Sequence, residues 1–167
     1  RSPELIDAFI PLYNATMNKD DATDYYYFNR EFYKSVLEDF RYNSLIFYAL
    51  YDQKVISMSM ILFGNENMHY HLSASDREHQ SLAATNLLLY EAACWGSENG
   101  YKSFHLGGGL GSKEDSLFKF KKAFNKNSKT YFSIGKKIFV QEKYDELIEI
   151  STREKMIKTE FFPGYRG

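Results

Sequence analysis

Apolar side chains in the first forty positions recur at helical spacing. This spacing predicts a helix over residues 3–17 and a second helix whose start Asn29 caps. A loop over residues 18–28, polar at first and aromatic at its end, separates the two. The apolar stripe of the second helix predicts one buried face, made of Phe32, Val36, Leu37 and Phe40.

From residue 44 to residue 74 the apolar period shortens to that of β-strands. Residues 44–51 are apolar on both faces, which is typical of a central strand. Two further strands are predicted over 54–63 and 68–74, and a turn that starts at Gly64 joins them. Strict alternation in the last strand puts a polar set on one face, namely His69, His71 and Ser73.

The period then lengthens again to that of a helix. Residues 81–98 predict one long apolar helix that ends before Gly100, and residues 101–106 predict a strand leading into Gly107. The remaining predicted elements are a short helix capped by Asp115 or Ser112, a strand over 129–140 and a helix from about Gln141.

The order of these elements predicts an α/β fold with a central mixed sheet. Three successive strands favour an antiparallel meander, and a helical crossover from the third strand to the fourth requires parallel neighbours. We therefore expect the strands at 68–74 and 103–107 to run parallel, with helices on both faces of the sheet.

Composition narrows the class of protein. The 167 residues are 44% hydrophobic and 17% aromatic, which is ample for a core, and the net charge of -1 gives no broad basic surface for duplex nucleic acid. The single cysteine, Cys94, excludes an internal disulfide. We find no membrane-spanning stretch or signal peptide and expect a cytoplasmic protein. Because the sequence begins at Arg1 rather than Met, we expect a processed or truncated chain that lacks a partner domain.

Two backbone features are candidates for holding a phosphate. The helix predicted to start near Ser81 would present unpaired amides and a positive dipole end, and small residues there let a ligand approach. Tight packing of helix on sheet is the alternative explanation. Gly107 and Gly108 follow a strand and either allow close ligand approach or form a flexible connection.

Two side-chain groups complete the candidates. Lysines of the short helix, including Lys121 and Lys122, either bind a phosphate or form a solvated face. His71 and His105 lie on neighbouring predicted strands, but zinc needs a third or fourth ligand in tight geometry and Cys94 is poorly placed. We therefore predict no metal site.

Several motifs resemble the C-terminal GNAT-like domain of Fem-type aminoacyl transferases, which build the peptide bridges of bacterial peptidoglycan. The motifs are Leu72-Ser73, NLLLYEA at 86–92, Gly100-Tyr101, FHLGG at 104–108, FKKAF at 120–124 and Phe161-Phe162-Pro163. The resemblance covers nearly the whole chain and implies a GNAT acyltransferase fold. It also implies that residues 1–167 are one GNAT-like domain, the C-terminal half of a two-lobed protein.

The resemblance assigns the phosphate loop of the GNAT pattern, Q/R-x-x-G-x-G/A, to residues 80–85. Ala83 and Thr85 stand where the pattern has small residues, mostly glycine, so the resemblance implies weak acetyl-CoA binding. Fem-type enzymes take the acyl group from aminoacyl-tRNA instead, although a net charge of -1 suits tRNA only if the lysines supply the contact. The implied donor-binding residues are Ser73, Ala74, Gln80, Ser81, Ala83, Ala84, Thr85, Gly107, Gly108, Lys121 and Lys122.

The implied chemistry is attack of an amine on an activated ester or thioester. The protein would bind both substrates, accept a proton and stabilise the oxyanion, with backbone amides near Ser73 and Ala74 as donors. His71 and His105 are the candidate general bases. Three functions stay open: Fem-type acyl or aminoacyl transfer to a cell-wall precursor or small-molecule amine, acetyl-CoA-dependent N-acetylation, and a non-catalytic lobe that binds a precursor.

Overall fold

A computed structural model describes residues 3–128, 130–131, 133–154 and 161–166. They form two compact units, residues 1–126 and residues 127–167. Five α-helices are described: α1 (Pro3–Lys19), α2 (Arg30–Asp39), α3 (Ala84–Glu98), α4 (Ser116–Lys122) and α5 (Gln141–Glu154). Four strands are described: β1 (Ser44–Tyr51), β2 (Lys54–Gly64), β3 (Asn67–Ser75) and β4 (Ser103–His105).

The first unit contains a mixed sheet in the order β1-β2-β3-β4. β1, β2 and β3 form an antiparallel meander, and β4 lies parallel to β3, which confirms the predicted topology. Both hairpins use two-residue turns with positive φ, Asp52-Gln53 and Asn65-Glu66, which suit the right-handed twist of paired strands. β1 lies at the edge of this sheet, so its prediction as a central strand was wrong.

Helices cover both faces of the sheet, as predicted. On one face α1 and α2 bury Phe9, Tyr13 and Tyr33 against Met58 and Met60 of β2. On the other face α3 packs Ala92 and Trp95 against the apolar residues Ile61, Phe63 and Met68. The predicted cap of α2 is present, since the Asn29 side chain accepts the amide of Phe32 at 3.0 Å.

A β-bulge in β3 changes which side chains share a face. Leu72 pairs with Met60 and Tyr70 pairs with Ile61, so His71 is the extra residue between them. Before the bulge, Met68 and Tyr70 face α3. After it, Leu72 and Ala74 face α1. The predicted strict alternation along 68–74 was therefore wrong, because one inserted residue reverses the faces beyond it.

The second unit is built around α5, which begins at Gln141 as predicted. The Tyr144 ring stacks on Phe162 at 6.0 Å, and its hydroxyl accepts the amide of Gly164 at 2.9 Å. The strand predicted over 129–140 is not present in residues 130–131 and 133–140, where Ile134 and Phe139 stay 69% and 83% exposed. Apolar alternation alone forms no strand unless a neighbouring backbone pairs with it. Residues 129 and 132 lie outside the described residues.

Candidate active site

The two parallel strands are paired only at their beginning. Asn67, Met68 and His69 pair with Ser103, Phe104 and His105, after which β4 ends and β3 runs on to Ser75. This confirms the predicted parallel pairing and leaves the second half of β3 without a strand partner on its β4 side. We call this region the opening between β3 and β4.

A histidine pair closes the narrow end of the opening. His69 and His105 are partners in the strand register, and their Nδ1 atoms lie 3.0 Å apart. The rings are nearly parallel, with centroids 5.1 Å apart. The pKa of His69 is lowered, first by burial and then by the charges of His105 and His71. The sequence analysis had named His105 as a candidate base but had not selected His69.

His71 occupies the bulge itself. Its ring is exposed and its centroid lies 5.8 Å from that of His69, so His71 is the third imidazole of one cluster. Although His71 is exposed at the surface, the atoms packed around its ring still desolvate it in part, and this lowers the pKa of His71 and favours the neutral ring that can accept a proton.

Lys121 reaches the opening from α4. Asp115, one of the two predicted caps, is the N-cap of this helix, since its carboxylate accepts the amide of Phe118 at 2.8 Å. Lys121 Nζ donates to the Gly108 carbonyl at 2.9 Å and lies 5.6 Å from the centre of the Tyr70 ring. Burial lowers the pKa of Lys121, and Asp115 opposes this shift.

Neighbouring positions show how specific this placement is. Lys122 Nζ lies 5.9 Å from the ring centre of Phe118, so it stays on its own helix. Gly107 has a φ of +77°, and a Cβ there would lie 3.3 Å from Lys121 Nζ. Glycine therefore provides both the backbone conformation and the space that the lysine uses.

A buried hydroxyl cluster lies beside the opening and was missed by the sequence analysis. The Ser59 and Ser73 hydroxyls are 3.0 Å apart, and the same serines hydrogen-bond to Tyr70. Burial raises the pKa of Tyr70, and these hydrogen bonds offset part of the rise. Strict alternation put Tyr70 and Ser73 on opposite faces, so only the bulge at His71 brings them together.

The backbone of β3 separates the two predicted oxyanion donors. Ala74 pairs with Met58, and its side chain is only 1% exposed in the core. Asp76 N–H bonds to Ile56 of β2, whereas Ser75 N–H bonds to Thr16 of α1 at 3.1 Å. Backbone alternation then directs the Ser73 amide, like that of Ser75, away from β2 and toward the opening. Of the predicted pair, only Ser73 has its amide on the side of β3 that faces away from β2.

The long helix at the predicted phosphate loop starts later than expected. α3 begins at Ala84, and residues Arg77–Leu82 form a 3-10 helix, so the predicted helix start near Ser81 was wrong. Gln80 and Ser81 are exposed on this 3-10 helix. Asp76 caps it: its carboxylate accepts the Glu78 amide and contacts Lys54 at 2.7 Å, which holds the pKa of Asp76 at about 2.

Ala83 and Thr85 retain the shape of the loop despite their side chains. Ala83 has φ +49° and ψ +34°, the left-handed conformation that favours glycine. Ala84, the first residue of α3, is half-buried. Thr85 Oγ1 lies 3.0 Å from the buried Ser57 hydroxyl, so this side chain points toward the sheet. Ala83 Cβ is thus the added group at the exposed side of the loop.

A cavity of about 500 Å³ adjoins the histidine pair on the same unit. Phe40, Leu62 and Met68 give it apolar walls, and His69 and His105 border it. The cavity thus lies at the paired start of β3 and β4, and Lys121, Tyr70 and Gly108 are not among its lining residues. No helix among the described residues is long and apolar enough to cross a membrane.

Comparisons with known proteins identify the fold and the family. Residues 1–122 match the family model described as "Acetyltransferase (GNAT) domain". No curated protein sequence matches the chain.

Solved structures show the same fold at low sequence identity. An aminoglycoside acetyltransferase from an uncultured soil metagenomic sample, in complex with sisomicin, has a TM-score of 0.62 at 13% identity, over 84% of this chain and 93% of that one. A possible acetyltransferase from Clostridium difficile 630 has a TM-score of 0.61 at 12% sequence identity, over 84% of this chain and 95% of that one. A ribosomal-protein-alanine N-acetyltransferase from Brucella melitensis biovar Abortus 2308 has a TM-score of 0.57 at 13% sequence identity, over 84% of this chain and 95% of that one.

Proposed function

The chain belongs to the acetyltransferase (GNAT) domain family, whose chemistry is acyl transfer to an amine, and we propose that it performs this transfer at the opening between β3 and β4. The observation that carries the proposal is the position of Lys121. Its Nζ lies beside the Gly108 carbonyl and the Tyr70 ring, where the two strands have just parted.

The reaction requires one bond to form and one to break at a carbonyl carbon. The acceptor nitrogen attacks the carbonyl, a C–N bond forms, and the C–O or C–S bond of the donor breaks. The Ser73 amide would donate to the oxyanion, because the backbone alternation directs it into the opening. Lys121 would hold a phosphate of the donor or acceptor as a point charge.

His71 is the general base that we propose for the amine proton. His105 Nδ1 is engaged with His69 Nδ1 at 3.0 Å, whereas the His71 ring is exposed at the bulge. A neutral imidazole there can take the proton that nitrogen loses on acylation.

For the donor, we propose an aminoacyl ester of the type that Fem-like enzymes use. Support comes from the motif resemblance and from Ala83, whose Cβ stands at the exposed side of the loop. The acceptor would be an amine on a small molecule or cell-wall precursor, and the aminoglycoside-acetylating neighbour is an example of small-molecule specificity within the fold. A second lobe upstream and a cytoplasmic location remain parts of this proposal.

An acyl-CoA donor is the second candidate, and the left-handed backbone of Ala83 specifically favours it. The loop keeps the conformation that a glycine would have, and Thr85 points toward Ser57 rather than outward. The Ala83 and Asn86 amides already donate to backbone carbonyls, so the amides of Ala84 and Thr85 would be the ones that bind a phosphate.

One experiment decides between the donors. The purified protein is titrated by calorimetry with acetyl-CoA, CoA and a non-hydrolysable aminoacyl-tRNA analogue. It is then incubated with each active donor and a panel of amines, and N-acylated products are detected by mass spectrometry. Binding of the aminoacyl analogue with weak or no CoA binding supports the Fem-like function. A low-micromolar dissociation constant for acetyl-CoA would favour the second candidate, and N-acylation with neither donor would overturn the proposed function.

A further inference from the structure

The histidine pair has a geometry that acyl transfer does not use. His69 and His105 extend from adjacent parallel strands at one register position, so the backbone places the two side chains next to each other. Their Nδ1 atoms lie 3.0 Å apart, with the ring planes only 20° from parallel. Two nitrogens placed in this way can contact one small ligand together.

We propose that His69 and His105 form a binding site for a divalent first-row transition ion such as Zn²⁺, Ni²⁺ or Cu²⁺. Two nitrogens bound at about 2.0–2.1 Å to one ion are about 2.9 Å apart at a right angle and about 3.3 Å apart at a tetrahedral angle. The observed separation of 3.0 Å lies between these values, so the two nitrogens are already spaced as ligands of one ion, and the rings need only turn to aim their lone pairs at it. Imidazole is a preferred ligand for these ions, whereas Mg²⁺ and Ca²⁺ prefer oxygen.

The hydrogen bond between the two rings can be replaced by coordination to one ion. At this distance one Nδ1 donates a hydrogen and the other presents its lone pair. When the ion binds, the Nδ1 proton of the donor ring moves through solvent to Nε2 of the same ring. Both Nδ1 lone pairs then face the ion, and each neutral ring keeps one proton, so no net proton is released from the neutral pair.

The surroundings supply further ligands and room for them. His71 is the nearest third imidazole, with its centroid 5.8 Å from that of His69. The cavity of about 500 Å³ beside the pair gives water access to the open coordination positions. Two imidazoles with water in the remaining coordination positions make an open site rather than a closed structural one.

The inference needs no acyl transfer, so its success or failure is separate from that of the proposed function.

A second cluster provides the matched control. Asp76, Glu78 and His79 have ligand atoms within 4.8 Å of one another, but Asp76 is already bound to Lys54 at 2.7 Å. His79→Asn removes an imidazole there and leaves the histidine pair intact. It therefore separates binding at the pair from binding at the loop.

The test is calorimetric titration of tag-free protein with Zn²⁺ and Ni²⁺, with Mg²⁺ as the oxygen-seeking comparison. We expect one transition ion per chain, affinity at least about tenfold weaker in His69→Asn and His105→Asn, and no change in His79→Asn. Failure of both ions to bind, unchanged affinity in the pair variants, or loss of binding in His79→Asn would overturn the proposal.

A measurement on the unaltered protein covers the case in which a pair variant does not fold. With one equivalent of Cu²⁺, the electron paramagnetic resonance spectrum should show hyperfine structure from at least two imidazole nitrogens. A spectrum with oxygen ligands alone would overturn the proposal without any substitution.

Discussion

The hydroxyl of Thr85 lies 3.0 Å from the hydroxyl of Ser57, and this contact joins the first turn of α3 to the middle strand β2. Ser57 is fully buried and also donates to the Ala74 carbonyl at 3.3 Å. The threonine that replaces a small residue of the GNAT pattern thus has a structural partner within the fold.

Thr85→Val should destabilise the protein by about 1 kcal/mol, because it leaves the buried Ser57 oxygen with one hydrogen bond fewer at nearly unchanged volume. Thr85→Ser keeps the hydroxyl and should cost less. Urea unfolding of both variants measures the difference. Equal unfolding free energies for the two would show that the 3.0 Å contact contributes nothing.

Ala83→Gly should stabilise the protein by about 0.5–1 kcal/mol. The left-handed conformation costs alanine about 1–2 kcal/mol, which glycine avoids. The greater conformational freedom of glycine in the unfolded chain cancels part of this gain in stability. The control is Ala84→Gly at the next residue, inside α3, which should destabilise by up to about 1 kcal/mol. Unfolding curves in urea give both values, and a loss of stability in Ala83→Gly would contradict the assigned backbone.

The loop at Asp76 should make stability depend on acid pH. Hydrogen bonds from Lys54 and the Glu78 amide hold the folded pKa of Asp76 at about 2, below the ordinary 3.8. The contribution is therefore fully present above pH 3.8 and is lost as pH falls toward 2.

Asp76→Asn should lower stability at neutral pH and flatten this part of the pH profile, measured by denaturant unfolding between pH 2 and 7. Glu78→Gln is the matched control, since Glu78 lies farther from Lys54, at 3.9 Å, and its side chain is 82% exposed. A profile of Asp76→Asn that parallels the parent at every pH would rule out this role.

The sequence predicted the topology because topology depends on features that are local and repeated. The period change at residue 81 gave the crossover, and the caps Asn29 and Asp115 gave two helix starts. The structure also brings the FKKAF stretch and the glycines together, since Lys121 Nζ donates to the Gly108 carbonyl.

The details of the site depend on single residues that periodicity does not reveal. The bulge at His71 reverses the faces of β3, so neither the approach of Tyr70 to Ser73 nor the backbone direction at Ala74 was visible in the alternation. Ala83 in the left-handed region separates the 3-10 helix from α3, although alanine predicts a continuous helix.

Affinity for the donor in Lys121→Ala and Lys122→Ala tests the central claim most directly, because the two lysines are adjacent on α4 and only Lys121 reaches Gly108. The measurement is calorimetric titration with acetyl-CoA and with the aminoacyl-tRNA analogue, next to urea unfolding of each variant. We predict that Lys121→Ala weakens the donor that binds by about 5- to 150-fold, the equivalent of about 1–3 kcal/mol. Lys122→Ala should leave its affinity within about twofold. Equal effects of the two variants, or unchanged affinity in Lys121→Ala, would contradict a donor site at the opening between β3 and β4.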